Sequence, residues 1–149
     1  MEEKAMDHDD YEDDYLRNIL TSVKTIALVG ASPNPARPSH GVMNFLLSKG
    51  YHVIPVNPGQ EGKEILGQKV YAKLADIAEP VDMVDVFRAA EYLPAVAEEV
   101  IHMSPRPKVI WGQLSVRHDD AAAKAEAYGV EVVMDRCPAI EHPRLNISR

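Results

Sequence analysis

Gly30, Arg37, Ser39 and His40 form the part of the sequence best suited to bind phosphate. Gly30 ends the apolar run Thr25–Val29, and the other three residues follow it within ten positions. A glycine at the end of a strand lets a ligand approach the backbone closely, and arginine and histidine donate hydrogen bonds to phosphate oxygens. A helix that begins near Ser39 would add N–H groups and the positive end of its dipole. The loop is therefore predicted to hold phosphate groups.

The same loop lacks the patterns of two common nucleotide sites. A GxGxxG motif counted from Gly30 needs glycines where the chain has Ser32 and Pro35. No glycine–lysine pair is followed by serine or threonine, so the Walker A motif is also absent. An NAD site needs an acidic residue at the end of the second strand, and this strand is followed by Asn57. A phosphate-bearing ligand other than NAD is therefore favoured.

The other reactive side chains form no pattern typical of catalysis or metal binding. The six histidines include no HxxH or HxxxH pair, and a GxSxG motif is absent. Cys137 is the one cysteine, and it is predicted to be a buried structural residue. The alternative is that Arg136 favours its thiolate, which would allow a mixed disulfide with a thiol ligand. We expect neither a catalytic residue nor a metal site.

Five short apolar segments alternate with helical segments along the chain. Strands are predicted at Thr25–Val29, 51–56, 82–87, 108–111 and 130–134. Helices are predicted at 11–23, 39–50, 91–103 and 115–128, the last capped by Ser115, and the tail 135–149 is expected to be mostly irregular. Because the strands are apolar almost throughout, they indicate a parallel sheet covered by helices on both faces. The expected fold is a Rossmann-like, doubly wound α/β domain with a five-stranded sheet in the order 3-2-1-4-5.

The predicted strand order places the ligand at one end of the sheet. Ligands bind doubly wound sheets outside the carboxyl ends of the strands, where the strand order reverses. With the predicted order, this point lies between the strands that begin at Thr25 and Lys108. The segments on that rim are GASPNPARPSHG, VNPGQEG, FR, GQLS and DRCP.

The negative charge of the chain is concentrated in its first residues. The net charge is −7, and residues 1–14 contain eight acidic residues and one lysine, so the remainder is neutral. A neutral body lacks the basic surface that nucleic-acid binding needs, and no apolar run is long enough to span a membrane. Residues 1–14 are predicted to be a flexible terminus, with an interaction tail as the alternative, and residues 15–149 a single domain. A lone cysteine and the lack of a signal sequence make the cytoplasm the expected location.

Five motifs follow one another in an order that resembles a known protein family. They are IALVGASPNPARPSHGV, GYHVIPVNP, ILGQKVYAKLADI, VDMVDVFR and VVMDRCPAIE, and the resemblance covers residues 24–141. The chain resembles the small stand-alone CoA-binding proteins, which are similar to the CoA-binding N-terminal domain of the succinyl-CoA synthetase α subunit. The resemblance implies coenzyme A as cofactor, held by Gly30, Ala31, Ser32, Pro33, Arg37, Ser39, His40, Val56, Asn57, Pro58, Phe87 and Arg88.

The resemblance also implies a function without catalysis. The second domain of the larger enzyme, with its phosphorylated histidine, and its ATP-grasp partner are missing from these 149 residues. The expected function is non-catalytic binding of CoA or acyl-CoA, with a protein partner or a homo-oligomer left open. The alternatives are an NAD(P)-binding oxidoreductase-like protein, a regulatory or accessory subunit of an acyl-CoA ligase, and an interaction protein whose acidic head recruits partners.

Overall fold

A parallel sheet of five strands forms the centre of the protein in the computed structural model, which describes residues 6–148. The strands are β1 (Thr25–Val29), β2 (His52–Val56), β3 (Glu64–Ile65), β4 (Gln68–Lys69), β5 (Met83–Val86), β6 (Val109–Gly112) and β7 (Glu131–Val133), of which β3 and β4 form a separate antiparallel hairpin. The helices are α1 (Asp13–Ser22), α2 (Pro38–Ser48), α3 (Leu93–Ile101), α4 (Asp119–Ala127) and α5 (Pro138–Arg144). Within residues 6–148, none of them has the length and hydrophobicity needed to cross a bilayer.

The strand order of the main sheet is β2-β1-β5-β6-β7, and all neighbouring strands are parallel. The predicted fold class, a doubly wound parallel α/β sheet, is confirmed. The predicted order 3-2-1-4-5 is wrong, because β5 pairs with β1 on the side opposite β2. The five strands therefore follow the order 2-1-3-4-5. Both orders satisfy the right-handed crossover rule, so the sequence pattern does not distinguish them.

Helices cover both faces of the sheet because successive side chains of each strand point to opposite faces. On one face, Leu28 and Trp111 pack with α1, α2 and α5. On the other face, Val84 and Ile110 pack with α3 and α4. Every position of β5 and β6, and every position of β1 except Thr25, is thus buried, which explains the apolar runs in the sequence.

Two helical segments differ from the sequence prediction. α4 begins at Asp119 rather than at Ser115, and its cap is His118, whose Nδ1 accepts a hydrogen bond from the N–H of Ala121 (3.1 Å). Ser115 lies instead in a loop and has a φ of 71°. The tail, expected to be mostly irregular, contains α5, since Pro138 is well suited to the first turn of a helix.

The N-terminal segment contacts the rest of the protein at Tyr11. This side chain is buried, and its hydroxyl oxygen accepts a hydrogen bond from the N–H of Met134 (2.8 Å), just after β7. Burial raises the pKa of Tyr11 to about 12, so the hydroxyl stays neutral. Part of the segment 1–14, expected to be flexible, is therefore packed against the sheet, and its residues 1–5 lie outside the described residues.

Candidate functional site

The strand order reverses between β1 and β5. The chain leaves β1 toward α2 on one face of the sheet, and it leaves β5 toward α3 on the other face. This corrects the expected position beside the strand that begins at Lys108, which is not a neighbour of β1. Gly30 and Phe87, the residues that follow β1 and β5, lie together at the reversal. The position where doubly wound sheets bind ligands thus coincides with the loop after β1.

Gly30 is required at this position for two reasons. Its φ of +91° is readily adopted only by glycine. A Cβ atom would also lie only 2.7 Å from the carbonyl oxygen of Phe87. The N–H of Gly30 donates a hydrogen bond to the carbonyl of Val56 at the end of β2 (2.9 Å). The start of the loop is therefore fixed where β1, β2 and β5 meet.

Asn57 holds the loop against the end of β2. Its Nδ2 donates a hydrogen bond to the carbonyl oxygen of Ala31 (2.7 Å), and its Oδ1 accepts one from the N–H of Gly59 (2.9 Å). An aspartate at this position would have no donor for the Ala31 carbonyl. Asn57, which in the sequence disfavours an NAD site, therefore shapes the loop after β1 in the structure.

The helix after the loop has an open N-terminus. α2 begins at Pro38, one residue earlier than expected, and Arg37 occupies the N-cap position without a capping side-chain hydrogen bond. Proline suits the first helical position because its missing N–H is not needed there. An uncapped first turn of this kind, at the positive end of the helix dipole, favours an anion.

These elements border a cleft of about 410 Å³, which we name the Gly30 cleft. Most of the predicted site residues line it, namely Gly30, Ala31, Ser32, Arg37, Ser39, Asn57 and Phe87. The side chain of Arg37 is exposed and supplies positive charge. Ser32 orders the loop, since its Oγ accepts a hydrogen bond from the N–H of Asn34 (3.1 Å). The Gly30 cleft therefore combines a shaped backbone, a helix N-terminus and a cation.

A second cleft, of about 380 Å³, adjoins the first at Phe87 and is named the Lys73 cleft. The predicted residues Val56, Pro58 and Arg88 line it, and so do Lys73 and Tyr92. The guanidinium carbon of Arg88 lies 4.0 Å from the centroid of the Tyr92 ring, which is a cation–π contact.

Lys73 and Tyr92 were missed by the sequence analysis. Lys73 reaches the rim because the chain returns beside β2, where the N–H of Tyr71 donates a hydrogen bond to the carbonyl of Pro55 (3.0 Å). Residues 57–72 show no periodicity that would predict this return. The sequence gives only a weak indication of Tyr92, which is that it lies four residues after Arg88.

A third cleft, of about 410 Å³, also adjoins Phe87 and is named the Leu114 cleft. Its lining is mainly apolar and includes Val42, Leu114 and Val116 beside the polar side chain of Gln113. Phe87 lines all three clefts, so they surround one residue at the end of β5. The other two predicted residues, Pro33 and His40, line none of the three.

Cys137 lines the Leu114 cleft as a neutral thiol. It is buried, as predicted, and burial raises the pKa of its thiol. Arg136, which was expected to favour a thiolate in the alternative interpretation, instead lies over the ring of Tyr11, 5.0 Å from its centroid. The structure therefore favours the structural interpretation of this cysteine.

Asp85 is a buried acid in β5 and lies near Cys137. Its side chain is fully buried, and neither carboxyl oxygen has a hydrogen-bond partner among the described residues. Burial raises the pKa of Asp85 well above its ordinary value. The carboxyl group is therefore held in its neutral form, because an isolated buried carboxylate is strongly unfavourable.

A fourth cleft, of about 480 Å³, lies between the segment before β5 and the end of α3. Its lining includes Glu79, Glu98 and Glu99 and contains neither lysine nor arginine, so it is poorly suited to phosphate. Among residues 6–148, no group of three or more histidine, cysteine, aspartate and glutamate side chains is arranged to hold a metal ion.

Comparisons with known proteins identify the family of the chain. A family model described as "CoA binding domain" matches residues 24–143. The YneT protein of Bacillus subtilis is 39% identical over 127 residues, which cover 85% of this chain and 91% of that protein. The structure of cell-free ID.343 from Thermus thermophilus is 41% identical with a TM-score of 0.84, covering 91% of this chain and 99% of that one.

A longer relative is an enzyme subunit. The alpha subunit of acetate–CoA ligase (ADP-forming) I of Pyrococcus furiosus is 34% identical over 84 residues, which cover 54% of this chain. The match covers only 18% of that subunit. The family model nevertheless matches most of the chain, and the resemblance noted in the sequence is confirmed. The protein belongs to the CoA-binding domain family.

Proposed function

We propose that this protein binds coenzyme A or an acyl-CoA at the carboxyl end of its sheet and catalyses no reaction there. The observation that carries the proposal is the meeting of three clefts at Phe87. The Gly30 cleft contains Arg37, the Lys73 cleft contains Lys73 and Arg88, and the Leu114 cleft is mainly apolar, although Arg88 also borders it. Coenzyme A has three matching parts, which are a diphosphate, an adenosine with a 3′-phosphate and a pantetheine arm that ends in a thiol.

Each part of the cofactor is assigned to one cleft. The diphosphate binds the Gly30 cleft, where the N-terminus of α2 and Arg37 complement its charge. The adenosine and its 3′-phosphate bind the Lys73 cleft, which contains Lys73, Arg88 and Tyr92. The pantetheine arm extends past Phe87 into the Leu114 cleft. Pro33 and His40 are retained from the resemblance as proposed members of the site.

The groups around the clefts support binding rather than catalysis. Cys137, the thiol in the Leu114 cleft, has a pKa raised by burial, which makes it a poor nucleophile. The Asp85 carboxyl is buried and neutral. We assign the protein to the cytoplasm, where a single unpaired cysteine stays reduced.

A second candidate function is that of an accessory subunit of an acyl-CoA ligase. It is favoured by the 34% identity with the acetate–CoA ligase alpha subunit, and it requires a protein partner that supplies the chemistry. Purification of the native protein from its own cells tests this candidate. A stable complex that forms acetyl-CoA from acetate, ATP and CoA would support it, and a lone chain that carries bound CoA would count against it.

Titration calorimetry with CoA, dephospho-CoA and NAD tests the leading proposal. We expect CoA to bind most tightly and dephospho-CoA to bind about 10 to 100 times more weakly, because a charge-assisted hydrogen bond is worth about 1.5–3 kcal/mol. Arg37→Ala should weaken CoA binding by a similar factor. Lys63→Ala removes an exposed cation outside the three clefts and should leave affinity unchanged.

Two results would contradict the proposal. If wild-type protein binds NAD as tightly as CoA, the ligand class is wrong. If Arg37→Ala binds CoA with unchanged affinity, the diphosphate does not lie in the Gly30 cleft.

A further inference from the structure

Gln113, which lines the Leu114 cleft, has a buried amide donor that no group within residues 6–148 uses. Gln113 lines this cleft and is only 5% exposed. Its Nε2 has no hydrogen-bond partner among residues 6–148. A buried amide donor without an acceptor is unfavourable, and a ligand that brings an acceptor would remove that cost.

The loop that carries Gln113 is held in place by backbone hydrogen bonds. The N–H of Gln113 donates to the carbonyl of Val86 (3.2 Å). Two residues on, the N–H of Ser115 donates to the Oδ1 atom of Asp135 (2.7 Å). The N–H of Asp135 in turn donates to the carbonyl of Val116 (3.2 Å). The backbone that carries the Gln113 side chain is therefore held in place on both sides.

Apolar side chains surround this donor. Leu114 is 54% exposed at the edge of the cleft, although it is a large aliphatic residue. Val42 and Val116 form further parts of the wall. A mainly apolar cleft with a few polar groups is typical of a site for a small molecule that is mostly hydrocarbon and carries an acceptor.

We propose that the Leu114 cleft binds the uncharged acyl group of an acyl-CoA and that Gln113 Nε2 donates a hydrogen bond to the thioester carbonyl oxygen. This inference rests on the proposed CoA-binding function and names the form of the ligand. Unacylated CoA, which ends in a free thiol, has neither the thioester carbonyl nor an acyl chain that would cover Leu114. Arg88 also borders the Leu114 cleft, but its guanidinium lies over the ring of Tyr92, which lines the Lys73 cleft and not the Leu114 cleft. A negatively charged acyl group in the Leu114 cleft is therefore not favoured.

The pantetheine arm has amide carbonyls of its own, which are the competing acceptors for Gln113. Calorimetry with CoA, acetyl-CoA, butyryl-CoA and succinyl-CoA separates the two sources. We expect acetyl-CoA to bind more tightly than CoA. Butyryl-CoA should bind about 15-fold more tightly than acetyl-CoA, because each buried methylene contributes about fourfold, and succinyl-CoA should gain nothing over acetyl-CoA.

These measurements also separate the two proposals. Equal affinities for CoA, acetyl-CoA and butyryl-CoA would overturn the acyl site and leave the CoA-binding function standing. If none of the four ligands binds, the proposed function itself fails.

Two variants test the residues. Gln113→Met keeps the length of the side chain and removes the donor, and it should weaken acetyl-CoA about tenfold while CoA is unaffected. An equal loss for both ligands would assign the hydrogen bond to a pantetheine amide and overturn the inference. Leu114→Ala should reduce the advantage of butyryl-CoA over acetyl-CoA. Leu66→Ala, in the turn between β3 and β4, is the control and should preserve that advantage.

Discussion

At the scale of single residues, two residues at the ends of strands, Asn57 and Gly30, fix the loop that follows β1. Asn57 uses its amide to fasten the loop at the carbonyl of Ala31. Gly30 is fixed by its positive φ and by its close approach to Phe87. The sequence predicted both positions, because a glycine and a non-acidic residue at strand ends are visible as residue types. The contacts that they make depend on the neighbour of β1, which the sequence did not reveal.

Asp85 gives a prediction about pH. Its pKa is raised in the folded protein by burial, whereas in the unfolded chain it ionises near pH 4. Above that pH, the Asp85 carboxyl must therefore take up a proton when the chain folds. The free energy of unfolding falls as the pH rises from about 4 toward the folded-state pKa of Asp85, by up to about 1.4 kcal/mol per pH unit. Asp85→Asn removes this dependence. Its free energy of unfolding, relative to wild type, should increase between pH 4 and pH 7 in urea titrations.

A matched control for this measurement is Asp76→Asn, which changes an exposed aspartate on the turn Leu74–Asp76. It should show no comparable gain with pH. A difference between Asp85→Asn and wild type that is constant from pH 4 to pH 7 would show that Asp85 is ionised in the folded protein.

At the scale of elements, the strand order determines which loops form the site. Since β5 lies beside β1, Phe87 and Arg88 are brought next to Gly30, whereas the predicted order would have placed another strand there. Local patterns predicted the five strands of the main sheet and four of the five α-helices, because apolar runs and helix boundaries are local properties, but they missed the hairpin β3–β4. The order of strands is a property of long-range pairing, and residues 57–72, which connect β2 toward β5, carry no pattern that specifies it.

The N-terminal segment gives a prediction at this scale. Tyr11→Phe keeps the buried ring but removes the acceptor for the N–H of Met134, so that this buried donor loses its partner. We expect the free energy of unfolding to fall by about 1–3 kcal/mol. Urea denaturation measures the change, and Tyr92→Phe, at an exposed tyrosine, should cost less than half as much. Equal losses in the two variants would mean that the segment is not docked in solution.

At the scale of the whole molecule, the three clefts lie along one rim of a single sheet. Their walls come from segments that follow β1, β2, β5, β6 and β7. The sequence predicted that the segments at the carboxyl ends of the strands share one rim, since a doubly wound sheet brings these ends together. It placed the reversal of strand order beside the wrong strand. The division of that rim into three clefts was not predicted, because it depends on Lys73, Tyr92 and Gln113, which have no motif of their own.

A preformed site should respond to its ligand by mass action alone. CoA at a free concentration of 100 times its dissociation constant should raise the free energy of unfolding by about 2.7 kcal/mol, which corresponds to roughly 5–10 °C in Tm. The dependence of unfolding on urea concentration, the m value, should remain the same with and without CoA. A changed m value would indicate that the ligand orders part of the chain.

The position of Phe87 has a consequence for selectivity. In the proposed binding mode, Phe87 borders every portion of the cofactor, so a change in its rotamer or size would disturb all of them together. Arg37, Lys73 and Leu114, by contrast, each border one of the three clefts. In that mode, substitutions at these three residues would alter recognition of the phosphates, the base and the thiol end separately, whereas a substitution at Phe87 would alter all of them.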